Sequence, residues 1–81
     1  MTATTQRAPI RADLVTTVCA AIRRATEGYG GLQRLAYAAG IPAATIKRYR
    51  AGREPSGGNL LRLMQANDRL RAEILSALEH P

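Results

Sequence analysis

A chain of 81 residues has room for one domain, and a domain of that size buries too little apolar surface to be robust alone, so self-association would be a natural remedy. It holds no run of eighteen apolar residues, and Met1 to Pro9 lacks the basic start and apolar stretch of a signal peptide, so a soluble, cytoplasmic chain with no membrane partner is expected. One cysteine, Cys19, and one histidine, His80, leave no raw material for an intrachain disulfide, a cysteine metal cluster or a catalytic triad, while the net charge of +6 and pI near 10.8 favour a polyanionic partner.

That charge is concentrated. Between residues 32 and 58, Arg34, Lys47, Arg48, Arg50 and Arg53 face only Glu54, a net +4, whereas three arginines balance three acids between residues 59 and 81. Residues 1–9 are polar, threonine-rich and aperiodic, which predicts a flexible N-terminal arm carrying Arg7, with Arg11 nearby; a single domain is expected over residues 10–79.

From Ile10 to Glu27, Leu14, Val15, Val18, Cys19 and Ile22 recur at spacings of three and four and mark one face of a first helix, with Arg23 and Arg24 late in it, where cations complement the dipole. The run Gly28, Tyr29, Gly30, Gly31 stops it. A second helix is predicted from Leu32 to Ala39, with Leu32, Leu35, Ala36 and Ala39 on one side, and Gly40 ends it. After Pro42 a third runs from Ala43 to Arg50, turning Ile46 and Tyr49 inward and Lys47, Arg48 and Arg50 elsewhere. Ser56 is a candidate N-cap for a fourth helix with Leu60, Leu61, Leu63 and Met64, ending near Asn67. Asp68 is the candidate cap of an amphipathic fifth bearing Leu70, Ile74, Leu75 and Leu78. No strand-like alternation and no repeat interrupts this pattern, so the expected fold is all-α, a compact five-helix domain.

The informative stretch is Leu32 to Gly52, LQRLAYAAGIPAATIKRYRAG. Two short helices joined by a glycine turn need a small residue where they cross, supplied by Ala36, a left-handed turn residue, supplied by Gly40, and a wedge between them, supplied by Ile46. With Leu35-Ala36, Ala39-Gly40-Ile41, Thr45-Ile46, Tyr49, Gly52, Pro55-Ser56 and Asn59-Leu60, the chain resembles the Cro and lambda-repressor-like helix-turn-helix family of bacteria and phages, the XRE family. The likeness covers roughly residues 31 to 65; the first helix matches only in length and amphipathicity.

The resemblance implies a lambda-repressor-like domain with its helix-turn-helix at helices 2 and 3, and a recognition helix from Pro42 to Arg50 lying in the major groove. Its base-edge candidates are Ala43, Ala44, Lys47 and Arg48: the two cations as donors to guanine, the methyls against thymine. Many family members place a hydroxyl and then glutamine or serine at this helix start; Pro42 and two alanines depart from that, so shape readout is expected to carry more of the recognition. Phosphate candidates are Gly31, Gln33, Arg34 and Tyr37 around the second helix, and Arg50, Arg53 and Ser56 after the recognition helix. The stripe Leu70, Ile74, Leu78 is a candidate dimer seam in a shared role: its N-terminal half is expected to face the core against the first helix, and its outer edge, with part of the fourth helix, a partner subunit. Cys19 is expected as a small buried hydrophobe and Tyr49 as core.

These features predict a sequence-specific regulator of transcription rather than an enzyme: a repressor of phage, mobile-element or antitoxin type, binding double-stranded DNA as a homodimer on a palindromic operator and associating with the nucleoid through DNA. No metal, cofactor or small-molecule ligand is implied. The alternative from another class is a DNA-binding adaptor or architectural module of a recombination or packaging assembly, which a large apolar patch without self-association would favour. An RNA-binding helical domain is the weaker third reading, because three tyrosines without phenylalanine or tryptophan make few stacking platforms.

Overall fold

The computed structural model describes residues 2–79, with side chains described from Asp13 onward. Five helices and no strand make up these residues: α1 Thr2–Ala25, α2 Gly31–Ala39, α3 Ala43–Arg50, α4 Gly57–Ala66 and α5 Asp68–Glu79. The all-helical, five-helix architecture expected from periodicity is therefore present. The third helix has the expected bounds, and the second and fourth agree to within a residue at the ends that were predicted. The first differs: α1 begins at Thr2 rather than Ile10, so its backbone takes in most of the stretch expected as an arm, and it stops at Ala25 rather than Glu27. Met1, His80 and Pro81 lie outside the described residues, as do the side chains of Arg7 and Arg11.

Local chemistry explains the ends. The Thr26 hydroxyl, in a residue only 4% exposed, donates back to the Ile22 carbonyl at 2.9 Å and to Arg23 at 3.1 Å, drawing the chain out of α1 one turn ahead of the glycines. At the end of α2, Gly40 takes φ 67°; its amide reaches the Tyr37 carbonyl at 3.3 Å and the Ile41 amide reaches Ala36 at 3.1 Å, the paired closure that a left-handed glycine permits. The same closure ends α3, with Gly52 at φ 113°, its amide on Tyr49 at 3.0 Å, and the Arg53 amide on Arg48 at 3.1 Å.

Ser56 caps α4 as expected, its Oγ accepting from the Asn59 amide at 3.2 Å. The cap of α5 is not Asp68 but Asn67. The Asn67 Oδ1 accepts from the Leu70 amide at 2.8 Å and its carbonyl from Arg71 at 2.9 Å, which leaves Asp68 as the first helical residue, a favourable place for an acid. An asparagine and an aspartate are both good caps, and sequence alone does not choose between neighbours.

The core forms where α1 lies on α5 and α3, α2 on α3 and α4, and α4 on α5. Val18, Ala21 and Ile22 of α1 meet Leu35, Ala39, Ile41, Ile46, Tyr49, Leu63, Leu70 and Ile74, with Leu14, Leu32, Ala36 and Leu60 packed against them. Ile22, Ile46 and Leu63 have no accessible surface at all, so a truncation at any of them leaves a void that costs about 2–5 kcal/mol. Among the described residues no helix is long and apolar enough to cross a membrane.

Candidate nucleic-acid interface

Helix α3 is divided cleanly between an inner and an outer face. Ile46 and Tyr49, three apart, are 0% and 4% exposed, while Ala44, Lys47 and Arg48 are exposed and Ala43 is half-buried. Gly40 and Pro42 make the turn that delivers this helix: the left-handed glycine redirects the chain, Ile41 anchors it in the core, and the Pro42 carbonyl accepts the first amides of α3, from Thr45 at 3.0 Å and Ile46 at 3.2 Å. Among the described residues, neither Lys47, Arg48, Arg50 nor Arg53 enters an ion pair. No ion pair among the described residues offsets their charge, which is the electrostatic condition for attracting a polyanion.

The charge beside α3 contrasts with that between α1 and α5. There Arg24 pairs with Glu73 of α5, and Arg69 reaches the same carboxylate at 3.4 Å one turn away along α5. Arg23 and Arg24 thus do more than complement the dipole of their own helix. Arg24 ties α1 to α5, and Arg23 donates from Nη1 to the Arg50 carbonyl at 2.8 Å, tying α1 to the end of α3.

Around the start of α2, Gln33, Arg34 and Tyr37 are exposed, Tyr37 at 92%. Gly31 behaves differently from the expectation that it would let a phosphate approach. It is buried, its amide is taken by the Gly28 carbonyl at 3.2 Å, and a Cβ built there would stand 2.7 Å from the Thr26 carbonyl oxygen. The close backbone approach that requires glycine is thus internal, between the α1–α2 turn and the end of α1. Arg34 also has an internal role, donating from Nη1 to the Tyr29 carbonyl at 3.0 Å and so bracing the turn.

Arg53 and Ser56 are exposed on the segment after α3, and Arg50 is half-buried. The backbone of that segment is held from α1, since the Cys19 thiol lies 3.5 Å from the Arg53 carbonyl. Cys19 is 2% exposed, as its place in the apolar stripe suggested, and burial pushes the thiol above its ordinary value, with Arg23 opposing and Glu54 adding to the shift.

Of the candidate dimer seam, Leu70 and Ile74 are each 1% exposed and belong to the core, because residues four apart on α5 both turn toward α1 and α4. They have no surface to give a partner. Leu78 is 51% exposed, and Leu75 on α5 and Leu61 on α4 are exposed as well.

The parts played by three residues escaped the sequence reading. Tyr29, at the tip of the α1–α2 turn, is fully exposed; Arg23 reaches α3; and Asn59 donates from Nδ2 to the Tyr49 hydroxyl at 2.7 Å. An aromatic residue bracketed by Gly28 and Gly30 is a signal that could have marked Tyr29 as displayed. The other two depend on pairings 27 and 10 residues apart, for which no local pattern exists. Compared with protein-family models, curated proteins and solved structures, the chain matches none.

Proposed function

We propose that this chain is a sequence-specific double-stranded DNA-binding regulator of transcription, of repressor type, with α2 and α3 acting as a lambda-repressor-like helix-turn-helix. The observation that carries the reading is the division of α3: Ile46 and Tyr49 hold it in the core while Lys47 and Arg48 project unpaired beside the small Ala43 and Ala44. A helix entering a major groove needs this combination of an anchored back, a low-bulk leading edge and free donors. Gln33 and Tyr37 on α2, with Arg50, Arg53 and Ser56 beyond α3, supply donors suited to the phosphate rims. Exposed Leu61, Leu75 and Leu78 support a homodimer, which would pair two recognition helices on a palindromic operator.

The test is selection of bound duplexes from a random DNA pool, with light scattering of the selected complex. A palindrome with half-sites one helical turn apart and two chains bound is the expected result. On that site Lys47→Ala or Arg48→Ala should each weaken binding by about 1–3 kcal/mol and relax preference at one position. Unchanged preference in both variants would remove α3 from the groove.

One observation favours the adaptor reading. A groove of 630 Å³ between α1 and α5, lined largely by apolar surface and including Leu14, Ala72, Ala77 and Leu78, lies apart from α3 and would suit a heterologous helix. A single chain on an asymmetric site, or no enriched sequence, would establish that alternative over the dimeric regulator.

A further inference from the structure

Helix α3 has eight residues, a length of about 12 Å, and only Ile46 and Tyr49 are buried from it. Two anchors one turn apart hold a helix against the core but resist swinging of its axis poorly. A swing of about 10° over that length moves the far end by about 2 Å, well beyond the roughly 0.5 Å within which a recognition constellation must be held.

Two side chains from different helices grip the C-terminal end of α3. The last carbonyls of a helix lack intrahelical donors. Those of Lys47, Arg48 and Tyr49 are taken by the Ala51, Gly52 and Arg53 amides, and that of Arg50 by the Arg23 guanidinium of α1 at 2.8 Å. Meanwhile Asn59 of α4 donates to the Tyr49 hydroxyl at 2.7 Å. Backbone packing does not join α3 to α4, so among the described residues this bond is the direct polar link between them. The backbone amide of Asn59 is in turn held by the Ser56 cap.

We infer that Arg23 and Asn59 are positioning residues that set the tilt of α3, and through it the base selectivity of Lys47 and Arg48, without themselves touching DNA. The inference rests on the DNA-binding reading above. It separates two tasks within the basic surface: Lys47 and Arg48 contact the duplex, while Arg23 spends its charge on a backbone carbonyl. The Tyr49 hydroxyl serves as a strut on α4, which explains why a tyrosine rather than a phenylalanine occupies an otherwise apolar core position.

The experiment uses the full chain, the duplex selected from the random pool and a scrambled duplex of equal length. Tyr49→Phe keeps the ring in the core and removes only the hydroxyl. It and Asn59→Ala are each expected to weaken the selected duplex about three- to tenfold while changing the scrambled one by less than about twofold, a loss in keeping with one hydrogen bond. The double variant should lose no more than the larger single, since both remove the same bond. Arg23→Met should behave likewise, with an unchanged salt slope, and Arg23→Lys should recover part of the loss.

An unchanged ratio of selected to scrambled affinity in Tyr49→Phe and Asn59→Ala would overturn the inference. So would a shallower salt slope with equal loss on both duplexes in Arg23→Met, because that identifies a phosphate contact. If the wild-type chain enriches no duplex, the sequence-specific reading fails and this inference falls with it, a result distinct from variants that retain selectivity.

Discussion

Replacing Gly31 by alanine sets two physical effects against each other. Gly31 is the first residue of α2 and does not have a positive φ, so alanine should favour the helix there, by at most the roughly 1 kcal/mol that separates the two residues in a helix interior. The added Cβ, however, would meet the Thr26 carbonyl oxygen at 2.7 Å and its carbon at 2.8 Å. Those atoms are backbone and cannot rotate away, and Thr26 is itself held by its amide and hydroxyl bonds to Ile22 and Arg23. Overpacking of this kind costs about 1–3 kcal/mol, so the net effect is a loss of about 1–2 kcal/mol and a fall of about 4–15 °C in thermal midpoint. Gly57→Ala and Gly58→Ala provide the control, because both lie in the first turn of α4 with nothing within 4 Å of an added Cβ. They should stabilise by about 0.4–1 kcal/mol. Thermal unfolding followed by far-UV circular dichroism reads all three, and a midpoint for Gly31→Ala as high as that of Gly57→Ala would refute the packing argument.

Asn67→Ala removes the cap of α5 and should cost about 0.5–2 kcal/mol in urea unfolding, whereas Asp68→Ala should cost less; the reverse order would return the cap to Asp68. Arg53→Ala should weaken selected and scrambled duplexes alike and lower the salt slope, and a loss confined to the selected duplex would contradict a phosphate role. The Cys19 thiol gives a pH dependence with a definite sign. Its folded pKa is raised above 9.0, chiefly by burial, so the folded chain keeps a proton that the unfolded chain releases first. This contribution to stability is therefore fully present below pH 9 and is lost above it, as pH rises through the raised folded value. Urea midpoints on either side of it should converge when Cys19 is replaced by alanine, and an unaltered pH dependence in Cys19→Ala would assign the slope to other groups.

Much of the fold was legible in one dimension because its causes are local. Apolar residues at spacings of three and four, glycines at 40 and 52, and a serine ahead of α4 act within a turn of themselves, and they placed α2, α3 and α4 to within a residue or so. The inward turn of Ile46 and Tyr49 and the outward turn of Lys47 and Arg48 follow from the same period. Where neighbours compete for one role the local pattern was insufficient, as with Asn67 and Asp68, or with α1, whose polar N-terminal residues carry no apolar period and yet continue the helix.

Periodicity marks which residues lie on an apolar face, but it does not say how much of that face another helix covers. Leu70, Ile74 and Leu78 form one stripe in sequence, and tertiary packing divides it, burying the first two under α1 and α4 and leaving the third exposed. The function of Gly31 changed for the same reason: a glycine in a turn announces a close approach, and only the packed chain shows that the approaching group is the carbonyl of Thr26. Arg23 and Asn59 carry the point furthest. Their partners are a backbone carbonyl and a hydroxyl on α3, distant in sequence, and a bond between groups far apart along the chain exists only once burial of the core has brought the helices together.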